Sequence, residues 1–442
     1  MLDINLVRED PAVVKASEKK RGKDPIVVDA VRQYDEQWRK ALKNVEELKH
    51  RRNIVSEEIN QAKKARKESL AQQKIKEMRI VADDIKEQEG KVQEFLAQRN
   101  QALVSLGNVL HPKVPAGKDA SENKEIKTWG TKPKFSFPIK NHVELAEELG
   151  IADFDAAAKV SGNGFYYHKK ELGLLNLALI RFAVDFMQKK GYMYIEPPLL
   201  LKKEMLGAAI DLEEWSKTVY SIEGEDLALI GTSEYAMLGM HAEETFPEAE
   251  LPRRYTAYSM CFRKEIGAHG INEKGLWRRH QFNKVEQFIF CTPEESNQYF
   301  EELLQNSEEI LQALELPYRV MELCAGDLAS WKHRSCDLEV WRPTTNSYGE
   351  VMSLSNCTDY QARKLNIKVI SKDGSRRVVH TLNNTALATS RIIVAILENF
   401  QTKAGTIKVP KALWPYMDGI KEIKNKEVIK KSKRDQKKVK FI

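Results

Sequence analysis

Two neighbouring segments combine charged and aromatic residues in a way that suits nucleotide binding. The sequence reads CFRKE at 261–265, a Gly-rich GAHGINEKG at 267–275 and WRRHQFNKVE at 277–286. Two strands joined by the Gly-rich loop would bring four side chains opposite one another: Arg263, Glu265, Phe282 and Glu286. The arginine can then clamp a phosphate while the ring stacks a base, and a glutamate can accept hydrogen bonds from an amine. Alternatively, Arg263 and Glu286 form a cross-strand salt bridge and Phe282 belongs to the core.

A hydroxyl and a carboxylate follow an apolar strand at GTSE, residues 231–234. Their position at the end of a strand suits a small ligand that carries an ammonium group. The same residues equally fit a helix N-cap with an acidic first turn, leading into the helix EYAMLGMHAEE. Both interpretations remain open on this pattern.

Two further segments offer groups for a metal ion and a phosphate. In YGEVMSLSNCTDYQAR, residues 348–363, strand alternation predicts two faces: Glu350, Met352 and Leu354 on one, and Val351, Ser353 and Ser355 on the other. A carboxylate and a hydroxyl beside a triphosphate would suit Mg²⁺, which takes few protein ligands. The small-residue stretch LNNTALATSR, residues 382–391, is predicted to enter a helix with Arg391 in its first turns, where an anion is favoured.

The elements that must hold these residues follow Asn141. Amphipathic helices are predicted at 171–189, 293–314 and 386–401. Short strands are predicted between them, at 227–230, 254–263, 285–290, 318–322, 336–341, 350–357 and 378–382. Several strands follow one another directly, which favours a mostly antiparallel sheet with helices packed on it. The sequence contains no GxGxxG or GxxxxGK[ST] phosphate loop, so a nucleotide would have to be bound by another scheme.

Residues 29–107 predict two long helices that form an antiparallel coiled-coil hairpin with a link near Ser69. Apolar residues three and four apart mark the first helix: Val31, Tyr34, Trp38, Ala41, Val45, Leu48, Val55, Ile59 and Ala62. The second helix is predicted from about Gln72 to Leu106, with a less regular stripe: Ile75, Met78, Ala82, Ile85, Val92, Phe95 and Leu103. The fold class is therefore α+β, with a helical hairpin ahead of an antiparallel sheet domain.

The predicted tip of the hairpin is basic. Its cationic residues are Lys63, Lys64, Arg66, Lys67, Lys74, Lys76 and Arg79, against only Glu68 and Glu77. Such a tip suits a phosphate backbone, because neutralised phosphates release counterions. Alternatively, it is the ordinary solvated face of a coiled coil.

Length and composition predict four parts in a soluble, cytoplasmic protein. The chain has 442 residues, 42% of them apolar, and a net charge of +7. No apolar run is long enough to span a bilayer, the N-terminus lacks the pattern of a signal peptide, and five cysteines without CxxC spacing indicate reduced thiols. The predicted parts are a hairpin domain at 1–110, a Pro- and Lys-rich linker at 111–140, a sheet domain at 141–420 and a basic tail at 421–442.

Taken together and in order, these segments resemble the seryl-tRNA synthetases, a family of class II aminoacyl-tRNA synthetases. The resemblance rests on GTSE, FRKE, GLWRRHQF with KVE, GEVMSLSNCTDYQAR and TLNNTALATSR, preceded by the helical hairpin. It covers about residues 1–420. It implies that the chain activates L-serine with ATP and transfers it to the 3′ end of serine tRNA.

The resemblance also implies roles for individual residues. Those assigned to serine are Thr232, Ser233, Glu234, Arg263, Glu286 and Thr385. Those assigned to ATP are Arg263, Lys264, Glu265, Arg278, Arg279, Phe282, Glu350, Val351, Met352, Ser353 and Arg391. The catalytic arginines would be Arg263, Arg278 and Arg391, and Mg²⁺ would be held by Glu350 and Ser353. Phe282 is similar to the ring that stacks adenine, and Arg391 would cover the other face of the base.

The sequence departs from the family pattern at three positions. Ala386 and Ser390 stand where glycine is usual, so the backbone is expected to approach the nucleotide less closely. Thr385 stands where many relatives have serine, which keeps the hydroxyl. No convincing set of zinc ligands is present, so no zinc is predicted.

The expected partners also follow from the resemblance. They are L-serine, serine tRNA bound through the seven cationic residues of the hairpin tip, and a second copy of the chain, paired through the motif around Pro197 or Pro198. Whether the selenocysteine-specific tRNA is a further substrate is left open. Two alternatives are a serine-activating paralogue that charges another acceptor and an inactive RNA-binding coiled-coil protein; the second would have lost the arginines and glutamates of the site.

Overall fold

The structure, a computed structural model, divides the chain into two compact units, residues 1–109 and 110–442. It describes residues 1–265 and 274–425, apart from the side chains of Leu212 and Glu213. Most of the Gly-rich segment at 267–275 and most of the basic tail at 421–442 therefore lie outside the described residues. No helix in the described ranges is both long and apolar enough to cross a membrane.

The first unit is a helical hairpin preceded by two short helices. Its helices are α1 (Ile4–Glu9), α2 (Pro11–Lys20), α3 (Ile26–Lys64) and α4 (Glu68–Ser105). The predicted hairpin is confirmed, but the link is at residues 65–67 and α4 begins four residues before the predicted Gln72. Arg66 turns the chain with a left-handed backbone, φ +51°.

Most of the predicted apolar seam is buried in the hairpin. The fully buried positions of α3 include Val31, Ala41, Val45, Val55 and Ala62. In α4 the predicted Ala82 is exposed, and its neighbour Val81 is buried instead. Both residues fit a three-and-four spacing, and burying the larger side chain removes more apolar surface from water.

The second unit contains the remaining regular elements. Its α-helices are α5 (His142–Glu148), α6 (Phe154–Ser161), α7 (Lys170–Lys189), α8 (Lys203–Ala209), α9 (Leu212–Thr218), α10 (Glu234–Gly239), α11 (Ser296–Ala313), α12 (Tyr360–Lys364) and α13 (Thr389–Asn399). Short 3₁₀ turns lie at Ala120–Glu122, Glu248–Glu250, Pro293–Glu295 and Lys411–Met417.

The strands of this unit form one large sheet and several small ones. They are β1 (Lys124–Trp129), β2 (Ala152–Asp153), β3 (Tyr167–His168), β4 (Met193–Ile195), β5 (Leu200–Lys202), β6 (Leu227–Leu229), β7 (Thr245–Pro247), β8 (Arg253–Phe262), β9 (Gln281–Cys291), β10 (Tyr318–Glu322), β11 (Arg334–Arg342), β12 (Ser347–Thr358), β13 (Lys368–Ile370), β14 (Arg376–Val378), β15 (His380–Ala388), β16 (Ile407–Lys408) and β17 (Glu422–Ile423).

The main sheet has eight strands in the order β1-β10-β11-β12-β15-β9-β8-β4. Every neighbouring pair is antiparallel except β4 and β8, so the predicted antiparallel sheet is confirmed. The core joins inward-facing residues of the sheet to helices α7, α11 and α13, for example Leu179, Phe300 and Ile393. Strand β1 lies within the segment predicted to be a linker.

The stretch at 382–391 is predicted to lead into a helix that begins at 386, but the structure shows a longer strand and a later helix start. Residues up to Ala388 belong to β15, and α13 begins only at Thr389, with Arg391 in its first turn as predicted. Antiparallel pairing with β9 and β12 holds this stretch extended despite its small residues. Strand pairing thus overrides the local sequence preference.

Two β-bulges alter which residues share a face of the sheet. In β12 the pairing passes from Glu350 to Met352, and in β15 it passes from Thr385 to Leu387. An extra residue reverses the alternation beyond it. Met352 therefore joins the core while Glu350 and Ser353 face the same cavity, so the predicted grouping of Glu350 with Met352 and Leu354 is wrong.

Candidate active site

A cavity of about 730 Å³ opens on the face of the main sheet opposite the helices α7, α11 and α13. This volume is within the usual range for a small-molecule site. Of the residues predicted to bind serine or ATP, all line the cavity except Ser233, Lys264 and Met352. The strands β8, β9, β12 and β15 and the first turns of α10 and α13 thus bring the separate sequence motifs together.

Alternation along β9 supplies one wall of the cavity. Phe282, Lys284 and Glu286 point into it, whereas Val285 and Ile289 enter the core beneath the helices. Glu286 lies directly opposite Thr385 of β15. Phe282 is therefore not a core residue.

One end of the cavity is lined by hydroxyls, carboxylates and a buried lysine. The Lys284 ammonium donates a hydrogen bond to Thr232 Oγ1 at 2.7 Å and forms an ion pair with Glu286. Thr232 Oγ1 is also 3.3 Å from Glu286 Oε2 and accepts the backbone N–H of Glu234 at 3.2 Å. Glu286 and Lys284 are 1% and 6% exposed, so this ion pair is largely shielded from water.

The carboxyl group of Glu234 is held by the buried side chain of Gln361. Gln361, from the motif TDYQAR, donates to Glu234 Oε1 at 2.8 Å and accepts from Thr381 at 3.0 Å. Burial, together with the charge of Glu286, raises the pKa of Glu234 above its ordinary value. This end of the cavity therefore includes the carboxyl groups of Glu234 and Glu286 and the ammonium of Lys284.

The other end contains the arginines. Arg263 follows β8, its Nε donates to Gly231 O at 3.2 Å, and its guanidinium carbon lies 5.5 Å from the centre of the Phe282 ring. Arg278 Nη1 donates to Glu265 Oε2 at 2.7 Å. Arg263 and Phe282 are neighbours, as predicted. Glu286, however, lies opposite Ala257 of β8. It is therefore neither opposite Arg263, as predicted, nor in a salt bridge with it, as in the alternative interpretation.

Arg391 contacts the strand that carries the predicted metal ligands. Its Nη1 donates to the backbone oxygen of Glu350 at 2.7 Å and lies 3.2 Å from the Glu350 carboxylate. Burial would raise the pKa of Glu350, but the charge and hydrogen bond of Arg391 hold it below its ordinary value. Arg391 also lies near Trp277, with its Nε 3.4 Å from Trp277 O.

Three predicted residues do not line the cavity, for separate reasons. Ser233 is the N-cap residue of α10, but its fully buried hydroxyl makes no capping bond and has no hydrogen-bond partner among the described residues. The acidic first turn of the alternative interpretation is present as Glu234, whose N–H is bound by Thr232 instead. Lys264 is directed towards the ring of Tyr220, 5.9 Å from its centre. Met352 lies in the core because of the bulge in β12.

Several lining residues were not singled out from the sequence. Lys284 lies two residues before Glu286 in β9, and Asn383 lies two residues before Thr385 in β15. Residues two apart in a strand share a face, so this spacing was the only sequence signal for Lys284 and Asn383. Asn383 is 5% exposed, and its Nδ2 has no hydrogen-bond partner in the part of the chain that the structure describes. Trp331 and Lys332 come from the connection between β10 and β11, where no motif marks them.

The predicted tRNA-binding residues lie at the tip of the hairpin. All are exposed except Lys74, which is half-buried between Glu58 and Glu77, at 2.7 and 3.0 Å. Because these two carboxylates already neutralise Lys74, it is a weak candidate for contact with a phosphate.

Comparisons with known proteins agree with this arrangement. The family model for the seryl-tRNA synthetase N-terminal domain matches residues 1–110, and the model for the tRNA synthetase class II core domain (G, H, P, S and T) matches residues 218–400. The serine–tRNA ligase of Methanocella arvoryzae is 47% identical over 424 residues, which cover 95% of this chain and 99% of the relative. The chain belongs to the seryl-tRNA synthetase family.

Solved structures of seryl-tRNA synthetases show the same fold. The enzyme of Pyrococcus horikoshii, crystallised with ATP, gives a TM-score of 0.92 at 42% identity and covers 96% of this chain and 100% of its own. The cytoplasmic enzyme of Naegleria fowleri, in complex with AMP, gives a TM-score of 0.87 at 36% identity and covers 96% and 99%. The predicted enzyme class, a serine-specific aminoacyl-tRNA synthetase, is confirmed.

Proposed function

We propose that this chain activates serine with ATP and transfers the seryl group to tRNA at the cavity described above. The observation that carries the proposal is one cavity with two chemically different ends. One end combines hydroxyls and carboxylates, and the other combines arginines with an aromatic ring. Serine and ATP have the complementary groups, and their reacting atoms would meet between the two ends.

At the serine end, the ammonium and the hydroxyl of the amino acid would each have a partner. The ammonium would be bound by Thr232, Glu234 and Glu286. The hydroxyl would lie between Glu286 and Thr385, which face each other across β9 and β15. The unpaired amide of Asn383 offers one more donor at this end. A substrate without the hydroxyl would leave these buried groups unsatisfied, which disfavours alanine.

At the ATP end, the chain supplies charge and position rather than acid–base groups. The serine carboxylate attacks the α-phosphate, and the negative charge of the departing pyrophosphate is offset by Arg263, Arg278 and Arg391. Phe282 would stack on adenine. Fixed charges act strongly at a site shielded from water, and holding both reactants together removes most of the entropic barrier.

The residues of β12 fit Mg²⁺ bound with ATP. The bulge puts Glu350 and Ser353 on the cavity face. Across the strands from Ser353 lies Asp337, whose buried Oδ1 has no hydrogen-bond partner among the described residues. Among residues 1–265 and 274–425, no three His, Cys, Asp or Glu side chains form a metal-binding group of their own. This suits Mg²⁺, which takes one or two carboxylates and completes its shell with phosphates and water, and which would neutralise phosphate charge when bound.

The tRNA would be bound by the hairpin, outside its anticodon. The exposed cations of the tip suit the long extra arm of serine tRNAs, with the selenocysteine-specific tRNA as a further candidate substrate.

The chain would also form a homodimer, since apolar side chains are exposed on α7, on the edge strand β4 and just after it: Leu174, Leu177, Met193, Tyr194, Leu199 and Leu200. A sedimentation mass equal to one chain would contradict the dimer.

The two steps are tested separately with the purified chain. ATP–pyrophosphate exchange should depend on serine, and aminoacylation should charge serine tRNA but not threonine or alanine tRNA. Arg263→Ala should abolish exchange, because it removes the arginine that is assigned to both serine and ATP, whereas exposed Lys76→Ala should leave exchange unchanged.

Each outcome bears on a different hypothesis. Absence of serine-dependent exchange would contradict the enzymatic function. Exchange without tRNA charging would favour a paralogue that serves another acceptor. Exchange close to the normal rate in Arg263→Ala would refute the role given to that residue.

A further inference from the structure

One histidine outside the cavity contacts the segment that carries two of its residues. Leu276, Trp277 and Arg278 precede β9, and Trp277 and Arg278 line the cavity. The backbone N–H of the fully buried Leu276 donates a hydrogen bond to His142 Nε2 at 3.1 Å. His142 begins α5, is 7% exposed and does not line the cavity.

The second ring nitrogen of His142 fixes the state of the imidazole. Nδ1 lies 2.9 Å from Glu398 Oε1 of α13. Because Nε2 accepts the Leu276 N–H, the proton is on Nδ1 and is donated to Glu398, which defines one neutral tautomer. Glu398, which lies on α13, thus keeps His142 Nε2 unprotonated as the acceptor for the Leu276 N–H.

Glu398 is itself held firmly. It is 0% exposed and accepts hydrogen bonds from Thr344 Oγ1 at 2.8 Å and Arg342 Nη2 at 3.3 Å. Burial would raise its pKa, but the hydrogen bond from His142 and the charge of Arg342 hold the pKa of Glu398 below its ordinary value. The carboxylate behind the imidazole therefore stays ionised to a lower pH than an ordinary glutamate.

The same network reaches the cavity through Trp277. The guanidinium of Arg342 covers the Trp277 ring at 4.2 Å, and Arg391 approaches the same ring at 5.5 Å. The ring also lies so close to Gly349 that a Cβ there would be 2.4 Å from it. Trp277 is thereby confined between β12 and the two arginines.

We propose that His142 is a positioning residue, which fixes the Leu276–Arg278 backbone and so directs Arg278 and Trp277 towards the nucleotide. The inference rests on the proposed role of this end of the cavity in ATP binding. His142 touches neither substrate, and it acts through the Leu276 N–H on one side and through Glu398, Arg342 and Trp277 on the other.

The direct test is the steady-state kinetics of two His142 variants in ATP–pyrophosphate exchange. His142→Leu removes the acceptor of the Leu276 N–H and one of the donors to Glu398, so the KM for ATP should rise roughly tenfold, the effect of one lost buried hydrogen bond. The KM for serine should stay within twofold, because Thr232, Glu286 and Thr385 are held by other elements. His142→Gln keeps an acceptor and a donor and should restore most of the ATP affinity.

A variant on the other side of Trp277 provides an independent test. Gly349→Ala forces its Cβ against the ring and should raise the KM for ATP in the same way. Because both changes act on one segment, the double variant with His142→Leu should show less than the product of the two single effects. Lys274→Ala is the matched control: within residues 1–265 and 274–425 the ion pairs it removes are the exposed ones to Glu147 and Asp155, so it should change each KM by less than twofold.

The outcomes separate this inference from the function on which it rests. An unchanged KM for ATP in His142→Leu, or multiplicative effects in the double variant, would overturn the positioning role. Equal defects in His142→Leu and His142→Gln, or a parallel rise in the KM for serine, would reduce His142 to a general packing residue. If Arg278→Ala leaves the KM for ATP unchanged, the assignment of the ATP end itself fails, whatever the His142 variants show.

Discussion

At the level of single residues, the proposed selection of serine depends on two groups that face each other across neighbouring strands. Thr385 of β15 and Glu286 of β9 are directly paired in the sheet, and both are almost fully buried. Residues paired in this way have Cβ atoms about 5 Å apart, which leaves room for a small hydroxyl between their side-chain tips. The threonine found here keeps the hydroxyl that a serine would provide, while its methyl group narrows the space beside the substrate.

Thr385→Val should therefore lower kcat/KM for serine activation. It preserves shape and removes the hydroxyl, and the loss of a buried hydrogen bond corresponds to roughly a 10–100-fold decrease. Activation of alanine should be nearly unchanged, since alanine has no hydroxyl to bind. Pyrophosphate exchange with both amino acids measures the ratio, with Thr385→Ser as the conservative control. Equal losses for serine and alanine would show that Thr385 supports the fold of the pocket rather than recognition of the hydroxyl.

The elements show where sequence patterns succeed and where they fail. The helical hairpin and the antiparallel sheet followed from periodicity, because apolar side chains must face a core at intervals of about 3.6 or 2 residues. The orientation of Glu350 did not follow, because alternation assumes an uninterrupted ladder and β12 has a bulge at Val351. The side chain of Ala386, one residue after the cavity-facing Thr385, lies in the core, whereas Ser390 lines the cavity.

A buried charge cluster at the base of the hairpin could not be predicted from these patterns either, because its members are far apart in sequence. Asp35 of α3 has a side chain that is 1% exposed, and it accepts hydrogen bonds from Arg8 of α1 at 2.7 and 2.8 Å. Arg39 and Arg99 complete the cluster at 3.0 and 3.4 Å. The carboxylate thus joins α1 to both long helices.

Asp35→Asn should loosen α1 from the hairpin by about 1–3 kcal/mol, because it leaves arginines partly buried without their countercharge. Hydrogen exchange measured by mass spectrometry should show faster exchange in α1 and little change in the sheet domain. Asp29→Asn is the matched control, since the ion pair that Asp29 makes among the described residues, with Lys15, is exposed. Equal protection of α1 in wild type and Asp35→Asn would contradict the role of the cluster.

The same cluster predicts a pH dependence of defined sign. Burial would raise the pKa of Asp35, but the hydrogen bond and charge of Arg8 lower it below its ordinary value. The stabilisation is therefore complete above the unfolded-state pKa of about 4 and is lost as the pH falls through the lower, folded-state pKa. The difference in α1 protection between wild type and Asp35→Asn should thus be constant near neutrality and shrink only in strong acid.

For the whole molecule, the distribution of charge is more informative than its total. The net charge of +7 equals the net charge of residues 421–442, which contain ten Lys or Arg and three Asp or Glu, so the remainder of the chain is neutral. The first residues of this basic segment belong to the folded unit: β17 (Glu422–Ile423) pairs with β16, and Ile423 is 0% exposed in the core. Removal of everything after Ile420 would therefore damage the sheet domain, whereas a cut after Asn425 spares this strand.

Deletion of residues 426–442 should weaken the binding of any tRNA, whatever the nucleotide sequence of that tRNA. Each lost contact between a cation and a phosphate lowers the slope of log K against log salt by a little less than one unit, so the deletion should flatten that slope for serine tRNA and for a non-cognate tRNA alike. Neutralising Lys63, Lys64, Arg66 and Lys67 at the hairpin tip should instead reduce binding of serine tRNA more than binding of the non-cognate tRNA, because the tip is proposed to contact the extra arm. Serine-dependent pyrophosphate exchange should be normal in both variants, which verifies that the cavity is intact. A salt slope unaffected by the deletion would show that the tail has no part in tRNA binding and that the neutral body and the local charge of the tip suffice.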